Sequence, residues 1–176
     1  MVPEAPLERS NVGLCPAGDG WFVVNARDLR WFESELGLYT MFDSEEARFD
    51  QVGVNIGILR PGEPNCMYHA EGAQEDFLVL SGECLLIVEG QERRLTAWDF
   101  VHCPPWTEHV FVGAGDGPCV VIGVGARTKG RGVRYAVNEV ALRHGAGVQV
   151  ETSEPSVAYA RFAEDKPIAC PAEFFG

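Results

Sequence analysis

The sequence is poor in basic residues and lacks the segments that direct a chain into or across a membrane. Lys and Arg number 14 against 26 Asp and Glu, the net charge is −12, and no basic cluster exceeds the pair Arg93-Arg94. Such a surface repels phosphate groups, which excludes nucleic acids and anionic membranes as expected partners. The first residues lack the basic start and apolar run of a secretory signal, and no apolar run could span a bilayer. We therefore expect a cytoplasmic location.

Closely spaced cysteine pairs and internal repeats are also missing. The six cysteines are scattered at positions 15, 66, 84, 103, 119 and 170, with no C-x-x-C pair. In a reducing compartment this scatter predicts free, mostly buried thiols instead of a disulfide framework. A chain of 176 residues, 46% of them apolar, can bury a core without such cross-links. The absence of a repeat at a fixed period predicts one barrel and not two.

The central part of the chain has the pattern of short strands separated by tight turns. Residues 52–59 are apolar at every second position, which is typical of a half-buried strand. Similar runs predict further strands over residues 77–80, 84–88, 100–103, 109–112 and 119–124, with a turn at residues 89–92. No helical pattern separates these runs, which indicates an antiparallel sandwich or barrel and not a doubly wound sheet.

The two ends of the chain differ from this central part. Residues 1–48 are predicted to be an extension that packs on the barrel, with an Asn25-capped helical turn over residues 26–30 and a first strand over residues 38–42. The barrel is assigned to residues 49–128. Residues 129–176 are predicted to be a helical tail. It comprises a solvated basic linker at 129–134, a helix at 139–144 capped by Asn138, and a helix from Pro155 to Arg161.

Two segments of the central part, residues 62–82 and 99–109, resemble the motifs of the cupin family. These motifs are usually written G-x5-H-x-H-x3,4-E-x6-G and G-x5-P-x-G-x2-H-x3-N. Glu75 stands before Gly82 at the spacing of the first motif, and His109 follows Pro104 at the spacing of the second. The resemblance covers roughly residues 50–125. It implies an all-β fold, an antiparallel double-stranded β-helix or jelly-roll barrel, with short helical additions at both ends.

The first motif leaves two registers open. One more residue than usual separates Gly62 from His69, and if His69 is the first histidine of the motif, Glu71 takes the place of the second. His69 and Glu71 are two residues apart and would then point to the same side of a strand. In the other register Tyr68 and Ala70 replace both histidines, and the site loses half of its ligands.

The second motif departs from the family at its glycines and at its last residue. Trp98 and Trp106 stand where the motif has glycine, and Gly113 stands where it has asparagine. Tryptophan does not readily adopt the positive φ that glycine allows. We therefore expect the turn before His109 to be reshaped.

In the favourable register the resemblance implies a metal site in the barrel. Its ligands would be His69, Glu71, Glu75 and His109, with Glu75 and Glu71 also as candidate catalytic carboxylates. Two imidazoles and two carboxylates suit a divalent ion such as Zn, Fe or Mn. The candidate pocket residues around this site are Tyr68, Gln74, His102 and Trp106.

The resemblance further implies a small-molecule ligand or substrate and a homodimer. Because this superfold hosts dioxygenases, decarboxylases, isomerases and sensors, it does not by itself define a function. The first hypothesis is a metal-dependent enzyme acting on a small metabolite, with one glutamate as base. The alternatives are a non-catalytic barrel that binds a small molecule for sensing or regulation, and a metal-free epimerase-like enzyme that uses a His–carboxylate pair.

Overall fold

The chain folds mainly into antiparallel β-strands. The computed structural model describes residues 1–127, 130 and 132–174. The strands within these residues are β1 (Leu7–Ser10), β2 (Gly13–Pro16), β3 (Trp31–Ser34), β4 (Gly37–Met41), β5 (Val52–Leu59), β6 (Ala70–Glu71), β7 (Glu75–Ser81), β8 (Glu83–Val88), β9 (Gln91–Thr96), β10 (Phe100–Cys103), β11 (His109–Ala114), β12 (Cys119–Ala126), β13 (Val133–Arg134) and β14 (Lys166–Ile168). The helices are α1 (Glu139–Arg143) and α2 (Pro155–Ala158), and short 3₁₀ turns cover Ala26–Asp28 and Ala172–Phe174.

Two antiparallel sheets form the body of the fold. The larger has seven strands in the order β10-β7-β12-β5-β4-β3-β14, and the smaller has three in the order β11-β8-β9. Isolated bridges from Pro64 to Val112 and from His69 to His109 attach the segment after β5 to β11. The result is the all-β double-stranded β-helix that the sequence predicted, with short helices at its periphery.

The inner faces of the two sheets pack against each other. Alternation along each strand directs every second side chain inward. The buried cluster between the sheets combines Leu59, Val79, Cys119 and Val121 of the larger sheet with Cys84, Leu86 and Phe111 of the smaller. Phe77 packs against this cluster, and its ring centroid lies 5.2 Å from that of His109. The apolar core therefore directly adjoins a group of polar side chains.

The C-terminal tail packs on the outer face of the smaller sheet. There Ile87 and Val110 contact a set of small tail residues: Ala136, Ala141 and Ala146. The Asn138 side chain accepts hydrogen bonds from the first backbone N–H groups of α1, as predicted. The second predicted helix is shorter than expected, because α2 ends at Ala158.

The N-terminal residues extend the larger sheet. β4 pairs with β5, β3 pairs with β4, and β14 of the tail pairs with β3 at the edge. The Asn25-capped turn is present, but the strand predicted as the first is the fourth, since β1, β2 and β3 precede it. The predicted turn at residues 89–92 is also too long. β9 begins at Gln91, and as an edge strand it is almost entirely polar.

Part of the sequence prediction for the tail cannot be compared with the fold. The described residues do not include the proposed domain boundary at residues 128 and 129. They also do not include Lys129 and Arg131 of the predicted linker. The division into extension, barrel and tail stays a prediction. Within the described part of the chain, no helix has the length and apolar character needed to cross a bilayer.

Candidate metal centre

Two histidines that are distant in sequence lie side by side in the barrel. His69 N–H donates to His109 O at 3.2 Å, and His109 N–H donates to His69 O at 2.8 Å. Residues paired in this way project their side chains on the same face. The ring centroids are 5.1 Å apart. The pairing of residue 69 with the start of β11 therefore creates the core of the site.

Each of these imidazoles is oriented by a backbone carbonyl group. His69 Nδ1 lies 2.8 Å from Met67 O, and His109 Nδ1 lies 3.1 Å from Thr107 O. Since a carbonyl oxygen only accepts hydrogen bonds, we assign the hydrogen of each ring to Nδ1. Nε2 then carries a lone pair. Metal-binding histidines are commonly held in this manner, which fixes both the tautomer and the ring orientation.

Glu75, the first residue of β7, completes a group of three. Its Oε2 lies 3.7 Å from His109 Nε2, beyond hydrogen-bond distance. One potential ligand atom each from His69, Glu75 and His109 lie within 4.8 Å of one another. Two ligands with bonds of about 2.1 Å to one ion are at most about 4.2 Å apart. Small side-chain rotations would therefore bring the group to coordination distance, and the donor set fits Zn or non-haem Fe(II).

Burial favours the neutral form of both imidazoles. Burial lowers the pKa of His69 despite the hydrogen bond to Met67 O. Burial and, secondarily, the charge on His69 lower the pKa of His109 to about 4, against the opposing effects of Thr107 O and Glu71. Neutral imidazole is the form that binds metal ions. At neutral pH the two histidines therefore need not lose a proton to bind one.

The group of three lines a cavity of about 310 Å³, a volume at the small end of ligand sites. Most of the remaining lining is apolar and includes Leu36, Leu38, Leu59, Phe111 and Val121. Asn55, Asn65 and Cys66 add polar atoms, and among the described residues no lysine or arginine lines this space. The cavity therefore offers potential metal ligands on one part of its wall and an apolar surface elsewhere.

A smaller and more polar cavity of about 170 Å³ adjoins the first and shares Glu75 with it. Asp43, Glu71 and Arg127 are among its lining residues. Arg127 Nη1 lies 2.6 Å from Asp43 Oδ2 and donates to Phe49 O at 2.6 Å. This ion pair fixes one wall of the polar cavity.

Glu71, predicted as a fourth ligand, is not a member of the group of three. It lines the polar cavity, although its charge affects the pKa of His109. His69 faces the apolar cavity, as in the favourable register. Tyr68 is fully buried among other residues, and its hydroxyl lies 3.1 Å from Glu108 Oε2 and accepts from Gly90 N–H at 3.1 Å.

The sequence predicted four pocket residues: Tyr68, Gln74, His102 and Trp106. None of them is part of the described lining of either cavity. His102 Nδ1 lies 2.6 Å from Asp76 Oδ1 at the surface, where the Gln74 amide donates to Asp76 Oδ2 at 2.6 Å. The side chains of His102 and Gln74 therefore both contact Asp76 of β7 at the surface.

The expectation that Trp106 reshapes the turn before His109 is wrong. Trp98 and Trp106 adopt φ values of 75° and 70°, the left-handed conformation of the glycines that they replace. Trp106 N–H donates to Glu71 O at 2.7 Å, and its indole lies so close to Gly72 that a Cβ there would be 2.9 Å from Cζ2. These contacts offset the backbone strain and preserve the turn.

Gly113, which stands in place of asparagine, is required by a close approach of two backbone segments. A Cβ at this position would overlap the carbonyl oxygen of Arg60. Gly62 N–H donates to Gly113 O, and Gly113 N–H donates to Glu63 O, both at 2.8 Å. No other residue would allow these two hydrogen bonds without a shift of the backbone.

Sequence reasoning assigned no site role to three polar residues that line the apolar cavity, Asn55, Asn65 and Cys66. Cys66 Sγ lies 3.6 Å from His69 Nδ1, and burial raises the pKa of its thiol, so that it stays protonated at neutral pH. The sequence feature that could have identified Asn55 as a cavity residue is its position on strand β5. It shares the inward face with Leu59, where an apolar side chain is the usual choice.

The central part of the chain is similar to a known family. The sequence model of the family described as "Cupin domain" matches residues 55–125. A cupin-like protein from Thermotoga maritima is 22% identical, over 68% of this chain and 90% of that chain, with a TM-score of 0.51. This similarity supports the fold. No curated protein matches the chain.

Two further structures are less similar in fold. A sugar phosphate isomerase of the cupin superfamily from Silicibacter pomeroyi is 23% identical, over 66% of this chain and 68% of that chain, with a TM-score of 0.48. A protein from Acidithiobacillus ferrooxidans, provisionally described as a sugar phosphate isomerase, is 26% identical with a TM-score of 0.45. That match covers 47% of this chain and only 55% of the other.

Proposed function

The chain contains a cupin domain at residues 55–125, and from this premise we propose a metal-dependent enzyme that acts on a small metabolite. The observation that carries the proposal is the convergence of His69, Glu75 and His109 on one wall of a cavity. Two backbone-oriented neutral imidazoles and a carboxylate are a suitable donor set for Zn, Fe or Mn. A bound ion would supply a Lewis acid or an oxygen-binding centre.

The two glutamates take different roles in this proposal. Glu75 belongs to the group of three and holds the ion with the histidines. Glu71 lines the adjoining polar cavity instead. That location favours a role as general base, which moves a proton to or from the substrate, over the role of fourth ligand. A general base must lie within reach of the reacting atoms of the substrate, and the polar cavity that Glu71 lines adjoins the space next to the group of three.

The cavity lining favours a substrate with a largely apolar body. Leu38, Leu59, Phe111 and Val121 surround the space next to the group of three, and its described lining contains no basic residue. A phosphate group would be poorly compensated there, whereas an apolar group would bury surface favourably. We therefore infer a small molecule that presents one or two oxygen atoms to the ion and its apolar part to these side chains.

Metal uptake by the chelator-treated, dialysed protein tests the proposal. We expect one equivalent of Zn²⁺, Mn²⁺ or, without oxygen, Fe²⁺ by calorimetric titration and by elemental analysis. His109→Ala and Glu75→Gln should weaken binding by at least about 100-fold. His144→Ala is the matched control, because this histidine lies elsewhere with Nε2 2.9 Å from Glu92 Oε1.

Two results would overturn the metal-dependent proposal. One is a wild-type protein that takes up none of the three ions, and the other is undiminished uptake by His109→Ala. Either would leave the non-catalytic small-molecule-binding barrel or the metal-free enzyme as the remaining hypothesis. The homodimer and the cytoplasmic location stay predictions.

A further inference from the structure

The loop that carries His69 is held by residues of the C-terminal tail. Met67 N–H donates to the Tyr159 hydroxyl at 3.2 Å, and Tyr68 N–H donates to Ala146 O at 2.7 Å. Both acceptors lie beyond residues 55–125, which match the cupin domain. Two backbone hydrogen bonds of the ligand-bearing loop therefore depend on a segment outside that domain.

Met67 connects the tail to the imidazole of His69. Its N–H group is bound by Tyr159, and its carbonyl oxygen lies 2.8 Å from His69 Nδ1. Met67 is almost fully buried, so its N–H group would be costly to leave without a partner. The position of the Tyr159 hydroxyl thereby restrains the residue whose carbonyl orients His69.

A second tyrosine restrains Tyr159. The rings of Tyr135 and Tyr159 meet edge to face with centroids 5.7 Å apart. The Tyr135 ring is in turn 5.8 Å from the ring of His69. Met67 and Tyr135 belong to one buried cluster, and Tyr159 packs against it.

We propose that Tyr159 is a positioning residue for the candidate metal centre. It holds Met67 where the Met67 carbonyl keeps His69 in the Nδ1–H tautomer, with Nε2 directed into the cavity. Without this hydroxyl the loop can shift, and Cys66 Sγ, already 3.6 Å from His69 Nδ1, competes for that nitrogen. The link to metal binding rests on the proposed function, whereas the tautomer is a property of the metal-free chain.

The direct test is ¹⁵N NMR of the imidazole rings in the metal-free protein. Only four histidines occur in the chain, so single substitutions can assign every ring. We expect His69 to be Nδ1–H in the wild type and a mixture of both tautomers in Tyr159→Phe, which keeps the ring and removes the hydroxyl. Tyr39→Phe is the matched control, because its hydroxyl donates to Asp165 at 2.7 Å and not to the loop.

Metal affinity provides the second measurement. We expect Tyr159→Phe to bind Zn²⁺ about tenfold more weakly than Tyr39→Phe does, in line with other supporting residues around metal sites. Tyr135→Leu, which removes the ring packed against Tyr159, should change the His69 tautomer and the Zn²⁺ affinity in the same direction but less. It replaces Tyr159→Phe as the test if that variant does not fold.

The outcomes separate this inference from the proposed function. An unchanged His69 tautomer and unchanged Zn²⁺ affinity in Tyr159→Phe would overturn the positioning role while leaving the metal centre intact. A wild type that takes up no metal, combined with a tautomer change in Tyr159→Phe, would overturn the metal centre and support the positioning role.

Discussion

Lowering the pH from 7 to 5 is expected to reduce the free energy of unfolding of the metal-free protein by about 2 kcal/mol through His109. This side chain is 1% exposed and has a pKa of about 4, against 6.5 for an ordinary histidine. The unfolded chain therefore takes up a proton below pH 6.5 while the folded chain resists it until about pH 4. Stability is lost as the pH falls through this window, and the complete loss is about 3 kcal/mol at 1.36 kcal/mol per pKa unit.

The assay is urea unfolding in the presence of a chelator at pH 7, 6 and 5, with linear extrapolation to water. His69 and Glu71 also act on the pKa of His109, so the informative quantity is the difference between the wild type and His109→Gln. We expect His109→Gln to lose about 2 kcal/mol less than the wild type between pH 7 and 5, and His144→Gln to behave like the wild type. Equal losses in the wild type and His109→Gln would refute the reasoning.

Three substitutions outside the group of His69, Glu75 and His109 test the structure by chemical denaturation. Gly113→Ala should lower the free energy of unfolding by about 3 kcal/mol or prevent folding, because the added Cβ would meet backbone atoms. Gly117→Ala is the control and should be nearly neutral, because a Cβ there meets open space. Equal effects of the two substitutions would contradict this account. Trp98→Gly should raise the melting temperature slightly, since a 76% exposed tryptophan at φ 75° is strained and makes few contacts; a marked decrease would count against this account. Arg127→Gln should lower the free energy of unfolding by about 3 kcal/mol, because the buried carboxylate of Asp43 loses its ion-pair partner. A loss below about 1 kcal/mol would show that solvent compensates the Asp43 charge in place of Arg127.

Elements defined by local interactions were predictable from the sequence. β5 and β10 coincide with their predicted bounds, because alternation and flanking turns are properties of neighbouring residues. The caps Asn25 and Asn138 are correct for the same reason. By contrast, β9 was missed because it is polar and lies at a sheet edge, where an apolar face is not required.

The candidate site was only partly predictable. His69, Glu75 and His109 were all named from the sequence, and they come together in the fold. Glu71 was grouped with them because it takes the place of the second histidine in the cupin motif, and because alternation directs residues 69 and 71 to one side of a strand. In the fold, however, residue 69 pairs with His109 whereas Glu71 pairs with Val133 of β13. The two side chains thus face different cavities, which depends on strand pairing and not on local pattern.

The sequence by itself determined the fold class, the positions of most central strands and three converging side chains, since these depend on period, turn chemistry and motif spacing. Tertiary structure alone decided the rest. It holds Trp106 at positive φ through its contacts with Glu71 and Gly72, against the local preference of tryptophan. It also brings Tyr159 of the tail to Met67. The physical reason is that long-range hydrogen bonds and packing override local preference, and residues far apart in the chain supply their partners.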